Sequence, residues 1–199
     1  MTRAFGLTWD YRCPYGRIAH DHVATGLANG ADWDVAFLPF CLGQSHVEEG
    51  MPPIWDTPQL DSGLFALQVG VAARDTDIEK FVRFHHATYE YRHTRAGNLN
   101  DRAAIGAMLA EAGFDADAVF AEVESGAPLA KIAREHMQYV NSHDVWGVPT
   151  FVVGSSAVFV RLLRTSGGDP KTAIDTINRI IDNIAWPILN EFKHTSVPL

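Results

Sequence analysis

The sequence predicts an α/β fold in which helices pack on a mixed sheet and an all-helical block interrupts the chain. Two observations carry this. A strand, helix, strand pattern opens the chain, and a β-hairpin pattern returns only after a long run of helical spacing, followed by one closing amphipathic helix.

Residues 4–9 are short, apolar and β-prone and end at Asp10-Tyr11-Arg12, the pattern of a buried strand. Cys13 comes next. Pro14 supplies a fixed φ and a missing N–H suited to a first helical turn, and Ile18, His22, Val23, Gly26 and Leu27 keep helical spacing up to Asn29-Gly30. Residues 34–40 make a second strand, and a right-handed crossover leaves the two strands parallel and ending on one edge. Residues 44–58 hold Gly50, Pro52, Pro53 and Pro58 and form an irregular connection. Helical spacing then covers 61–74, 77–93, 101–112, 115–123 and 129–140, with Ile78, Phe81, Val82, His85 and Tyr89 on one face of the second of these. Residues 151–154 and 157–163 pair as a hairpin turned at Gly154-Ser155-Ser156, and 172–184 is the closing helix. The tail from 186 to 199 carries no assignable pattern.

A chain of 199 residues, 47% hydrophobic and 20% charged, buries a core as one domain with room for an inserted subdomain. A formal net charge of −8 offers no electrostatic footprint for nucleic acid. No apolar run reaches the roughly 20 residues that cross a bilayer, and Met1-Thr2-Arg3-Ala4-Phe5 lacks the apolar stretch of a secretory leader, so the expected address is cytoplasmic. In such a compartment Cys13 and Cys41 are not read as a structural disulfide.

Cys13 stands apart by its placement. A thiolate at a helix N-terminus meets unpaired N–H groups and the positive end of the dipole, which lowers a cysteine pKa from about 8.5 into the range of roughly 3.5–7.5. Arg12 and Arg17 add to this if either folds over the sulfur, and the Tyr15 hydroxyl can donate to the thiolate or to a bound substrate. His86, Glu90 and His93 share one helical face, but a single Glu-x-x-His falls short of a di-metal site; hydrogen bonding is expected of them, and no metal. Trp55 and Trp146 flank Pro- and Gly-containing segments and read as core packing, with a pocket wall as the alternative.

Cys13-Pro14-Tyr15-Gly16 after the first strand, with Gly147-Val148-Pro149-Thr150 before the hairpin, resembles the DsbA-like proteins of the thioredoxin superfamily. Phe84-His85-His86-Ala87-Thr88-Tyr89 and Leu109-Ala110-Glu111-Ala112-Gly113-Phe114 are similar to the helical segments those proteins insert. The resemblance implies a thioredoxin fold with an all-helical insertion between the second strand and a cis-proline hairpin. Residues 1–43 and 145–199 would form the thioredoxin-like domain, and 44–144 the connecting segment and insertion. The branch includes FrnE-like and actinobacterial thiol-dependent reductases, 2-hydroxychromene-2-carboxylate isomerases and kappa-class glutathione transferases.

The family's Cys-Pro-x-Cys has Gly16 in place of its second cysteine, which excludes dithiol chemistry between those positions. The isomerases and kappa-class transferases carry Gly-x-Asp-Arg after the last strands, where this chain reads Val158-Phe159-Val160-Arg161-Leu162. The resemblance thus implies a thiol-disulfide oxidoreductase with one active-site cysteine, working through a mixed disulfide. Cys13, Pro14 and Tyr15 would be catalytic, and Trp146, Val148, Pro149 and Thr150 would bind the thiol substrate, with Val148–Pro149 as the cis peptide. Cys41, at the end of the second strand, reads as a buried or pocket-lining residue, with a resolving thiol as the alternative. The resemblance implies no tightly bound cofactor, glutathione or mycothiol as co-substrate, and a small thiol or disulfide as partner. A thiol-cofactor-dependent isomerase or transferase, or a non-catalytic binding module, are the alternatives.

Overall fold

The computed structural model describes residues 2–189. Among the described residues four strands form one sheet in the order β2-β1-β3-β4, with β1 Arg3–Trp9, β2 Trp33–Pro39, β3 Thr150–Val153 and β4 Ser156–Phe159. β1 runs parallel to β2 from the pair Arg3 and Trp33 to the pair Trp9 and Pro39, and antiparallel to β3 through Gly6 and Leu7. Its continuous apolar run makes it a central strand, with the last five residues buried. Helix α1 (Pro14–Ala28) crosses between β1 and β2, α2 to α6 (Leu64–Thr76, Ile78–Thr94, Arg102–Glu111, Ala116–Glu124 and Ala127–His143) form the insertion, and α7 (Pro170–Ile184) packs along α1. Gly26 within α1 carries a helix-propensity penalty of roughly 1 kcal/mol against alanine. It stays because a Cβ there would lie 2.3 Å from the Trp33 ring.

Asp77, Asp101, Asp115 and Asp169 each cap a following helix through a side-chain oxygen, an arrangement typically worth about 1 kcal/mol per cap. Asp61 behaves differently. The expected helix over 61–74 starts at Leu64 instead, because the Asp61 carboxylate accepts from the N–H groups of Gly63 and Leu64 and its other oxygen is held by Arg12. Residues 44–60 contain three single-turn 3-10 helices rather than plain loop. Ile78, placed on the buried face by spacing, is 47% exposed at the first turn of α3. β4 stops at Phe159, short of the expected 163, because it pairs last with Thr150, where β3 begins; the Val160 amide adds one closing bond to the Pro149 carbonyl at 3.1 Å, and Pro149 has no N–H to carry the ladder further. Of the unassigned tail, residues 190–199 lie outside the described residues.

One apolar cluster runs from the sheet (Phe5, Leu7, Trp9) into the insertion (Leu64, Leu67, Phe81, Phe84) and to Ile177 and Ile181 of α7. A smaller cluster of Cys13, Phe40, Val145 and Val148 sits at the edge where β1 and β2 end. Among the described residues no helix is long and apolar enough to cross a membrane.

Candidate active site around Cys13

Cys13 is the N-cap of α1 and only 7% exposed. Its Sγ accepts from the Gly16 N–H at 3.2 Å and its S–H donates to the Val148 carbonyl at 3.1 Å. The Val148–Pro149 peptide is cis. Two threonines hold this loop: the Thr150 N–H donates to Thr8 Oγ1 at 2.8 Å, and the Thr8 and Thr150 hydroxyls donate to the Gly147 carbonyl at 3.1 and 2.8 Å. The Val148 N–H has no hydrogen-bond partner among the described residues.

The thiol is not the acidic group that its helix position alone predicts. Burial pushes the Cys13 pKa up, outweighing the Gly16 and Tyr15 N–H groups that pull it down, and the Asp10 charge adds to the rise. Neither arginine relieves this. Arg12 is fastened to Asp10 at 2.6 and 3.0 Å and to Asp61 at 2.7 Å, and Arg17 to Glu90 at 2.8 and 3.1 Å.

The sequence matches the DSBA-like thioredoxin domain over residues 8–167. This chain belongs to the DSBA-like thioredoxin family. No curated protein matches it significantly in sequence. Its fold resembles the thiol-disulfide exchange protein alpha-DsbA2 from Wolbachia pipientis at TM-score 0.60 and 18% identity, over 92% of this chain and 81% of that one. It also resembles the cytosolic disulfide reductase DsbM from Pseudomonas aeruginosa, solved with GSH, at TM-score 0.61 and 17% identity, over 89% and 98%. A 2-hydroxychromene-2-carboxylate isomerase matches at TM-score 0.62 and 13% identity, over 90% and 96%.

In this DSBA-like domain the expected residues divide by accessibility. Pro14 and Trp146 are exposed, Tyr15 is half-buried, and Val148, Pro149 and Thr150 are buried, with Val148 the one of these three that hydrogen-bonds the sulfur. The Arg161 guanidinium lies over the Tyr15 ring at 4.5 Å, and Trp146 leans on Phe159 with ring centres 4.5 Å apart. Trp55 is half-buried and meets the His136 ring edge-on, and His136 lies over Phe40 of the Cys13 cluster.

Cys41 is free, fully buried and part of the main core rather than of the Cys13 cluster. Arg12 Nη2 donates to its sulfur at 3.9 Å, and burial pushes its thiol pKa up to about 11. The three residues of the α3 face go to separate partners: His86 to Asp21, Glu90 to Arg17, and His93 Nε2 to the Tyr11 carbonyl at 2.9 Å. Among the described residues no group of three His, Cys, Asp or Glu side chains is placed to hold a metal ion.

Sequence reasoning missed the polar chain beneath the site. Since a carbonyl only accepts, the 3.1 Å bond to Thr8 puts a proton on His20 Nε2; His20 Nδ1 then accepts from His85 Nε2 at 3.0 Å, and His85 Nδ1 from the Tyr11 hydroxyl at 3.0 Å. Both imidazoles are buried and neutral, His20 with its pKa lowered to about 4 by desolvation. Histidines in otherwise apolar helical stripes were the available signal. Thr8 was equally visible as the one hydroxyl in an apolar strand.

Proposed function

We propose that this domain is a thiol-disulfide oxidoreductase that works through Cys13 alone, in a reducing, cytoplasmic setting, with glutathione or mycothiol as external thiol. The observation that supports it best is the pairing of the Cys13 thiol with the Val148 carbonyl beside an unpartnered Val148 N–H. An extended thiol peptide can pair with both groups of Val148, and in doing so it takes the acceptor away from the Cys13 S–H. Substrate binding thus coincides with release of the sulfur.

The steps balance without a second protein thiol. Cys13 loses its proton to solvent, the thiolate attacks a disulfide R–S–S–R, the S–S bond breaks, and R–S⁻ leaves with the electron pair. A small thiolate then attacks the mixed disulfide, restoring Cys13 and carrying away R as a new disulfide. The test is incubation with glutathione disulfide followed by intact mass measurement. Wild type should gain one glutathionyl group, reversed by glutathione, and Cys13→Ser none; an unmodified wild-type chain overturns the reading.

A second reading has one observation in its favour. The upward shift of the Cys13 pKa keeps the S–H in place, and a neutral thiol donating to the sulfur of a bound cofactor suits a thiol-dependent isomerase or transferase. Conjugation of an electrophile to glutathione, without net redox change, would select it.

A further inference from the structure

We propose that Arg161 and Trp146 form an anion-accepting subsite beside Cys13 for a short peptide thiol with a free carboxylate, the glutathione class, in preference to a thiol carried on an uncharged sugar. This rests on the reading of Cys13 as the reactive thiol and specifies its substrate.

Three placements bring the subsite together. Val160 donates to the Pro149 carbonyl, so Arg161, the next residue, leaves the sheet at the loop that faces the sulfur. Its guanidinium is laid over the ring of Tyr15, two residues beyond Cys13, which limits the Cα separation of Tyr15 and Cys13 to about 7 Å. On the other flank of Val148, Trp146 is 66% exposed and supported from behind by Phe159. Glutathione carries its thiol on the middle residue and a carboxylate at each end of a peptide that spans about 10 Å when extended, so a sulfur seated at Cys13 sends a carboxylate out towards the rim where Arg161 lies over Tyr15.

The charge pattern names the ligand chemistry. Arg12 and Arg17 near the site are neutralised by Asp10, Asp61 and Glu90, whereas Arg161 is exposed and has no acidic partner among the described residues. In a chain of formal net charge −8 this leaves a cation at the rim of the thiol without a carboxylate of its own. A guanidinium attracted to an aromatic ring spends none of its N–H donors on a carboxylate there, which leaves its fork free for bidentate contact with one from a ligand. The exposed Trp146 face can cover the aliphatic part of the peptide.

The experiment uses ligands that cannot react with Cys13. S-methylglutathione and its diethyl ester, the same peptide with its carboxylates masked, are titrated calorimetrically into wild type, Arg161→Met and Arg161→Lys. Wild type should prefer the free acid by roughly tenfold at low salt, the weight of one charge-assisted hydrogen bond. Arg161→Met should bind both ligands alike, and Arg161→Lys should recover part of the preference. An unchanged preference in Arg161→Met, or no preference or no binding in wild type, overturns the subsite. Failure of the thiol reading shows itself separately, as Arg161-dependent binding of the free acid in a protein that forms no adduct with glutathione disulfide.

Discussion

The Tyr89 hydroxyl stands 2.9 Å from where a Cβ on Gly16 would lie, so the space of the family's second cysteine is already occupied. Val148 Cγ1 closes it from another side at 3.0 Å, and Cys13 Cβ is 3.2 Å away, under the roughly 3.5–4.5 Å usual across a disulfide. Tyr89 is buried and donates to the Asp10 carbonyl at 3.2 Å, so it does not swing away freely. Gly16→Cys alone should therefore lower the melting temperature and form little bridge between residues 13 and 16. Adding Tyr89→Phe, which deletes the obstructing oxygen, should raise the bridged fraction measured by mass after mild oxidation. A single variant that bridges fully and loses no stability would show that the space is open.

Cys41 should stay reduced while Cys13 is modified. The two thiols belong to different apolar clusters, and a thiol pushed up to about 11 presents almost no thiolate at neutral pH. Peptide mapping after mild peroxide should find Cys13 oxidised or in a mixed disulfide and Cys41 free. A monomeric bridge between Cys13 and Cys41 would contradict this and make Cys41 the resolving thiol.

Stability should fall on the acid side before carboxylates titrate. His20 and His136 have folded pKa values near 4 against an ordinary 6.5, because burial disfavours the imidazolium. Between those values the unfolded chain binds protons that the folded one refuses, so stability drops as pH falls from 6.5 towards 4, by roughly 3 kcal/mol per histidine at the limit. His136 also has a buried Nδ1 without a partner while its ring lies on Phe40. His136→Phe keeps the ring contact and removes both costs, so its melting temperature should exceed that of wild type, with a larger gap at pH 5 than at pH 7. Equal gaps at the two pH values would rule out the titration.

Thr8→Val should leave the buried Thr150 N–H without its partner, costing about 1–3 kcal/mol, while the Gly147 carbonyl keeps the Thr150 hydroxyl as its donor. The loop carrying Val148 loses a tether, so the rate of adduct formation at Cys13 should fall further than the melting temperature accounts for. The comparison is Thr150→Ser, which retains the hydroxyl and should stay close to wild type in both measurements. Unchanged adduct kinetics in Thr8→Val would mean that the loop holds its shape without that bond.

The order of elements was legible because apolar runs, helical spacing, Pro14 and the acidic caps act locally. The start of α2 was not, since it depends on Asp61 being tied to Arg12 from across the chain. The same holds for the end of β4, set by its partner β3 beginning only at Thr150. That Cys13 and the Val148 loop face each other could be expected from their motifs. The upward shift of the thiol pKa could not, because helix position is a local property while a closed pocket and two arginines already paired are tertiary ones. Tyr89 was visible as one more aromatic on a helical face, and only the folded chain puts its hydroxyl beside Gly16.

The ties between α1 or the loop before it and the inserted helices have a consequence for motion. Arg12 to Asp61, Arg17 to Glu90, His20 to His85 and the Tyr11 carbonyl to His93 all join residues around Cys13 to residues of the insertion. Swinging the insertion aside as a lid would break all four of these ties at once, two of them to the buried Asp61 and His85. The insertion is a buttress and not a gate. Amides of α1 and α3 should accordingly exchange with deuterium at one shared rate set by global unfolding, and a graft that replaces the insertion with a foreign one must carry Asp61, His85, Glu90 and His93 with it to leave the cysteine helix where it is.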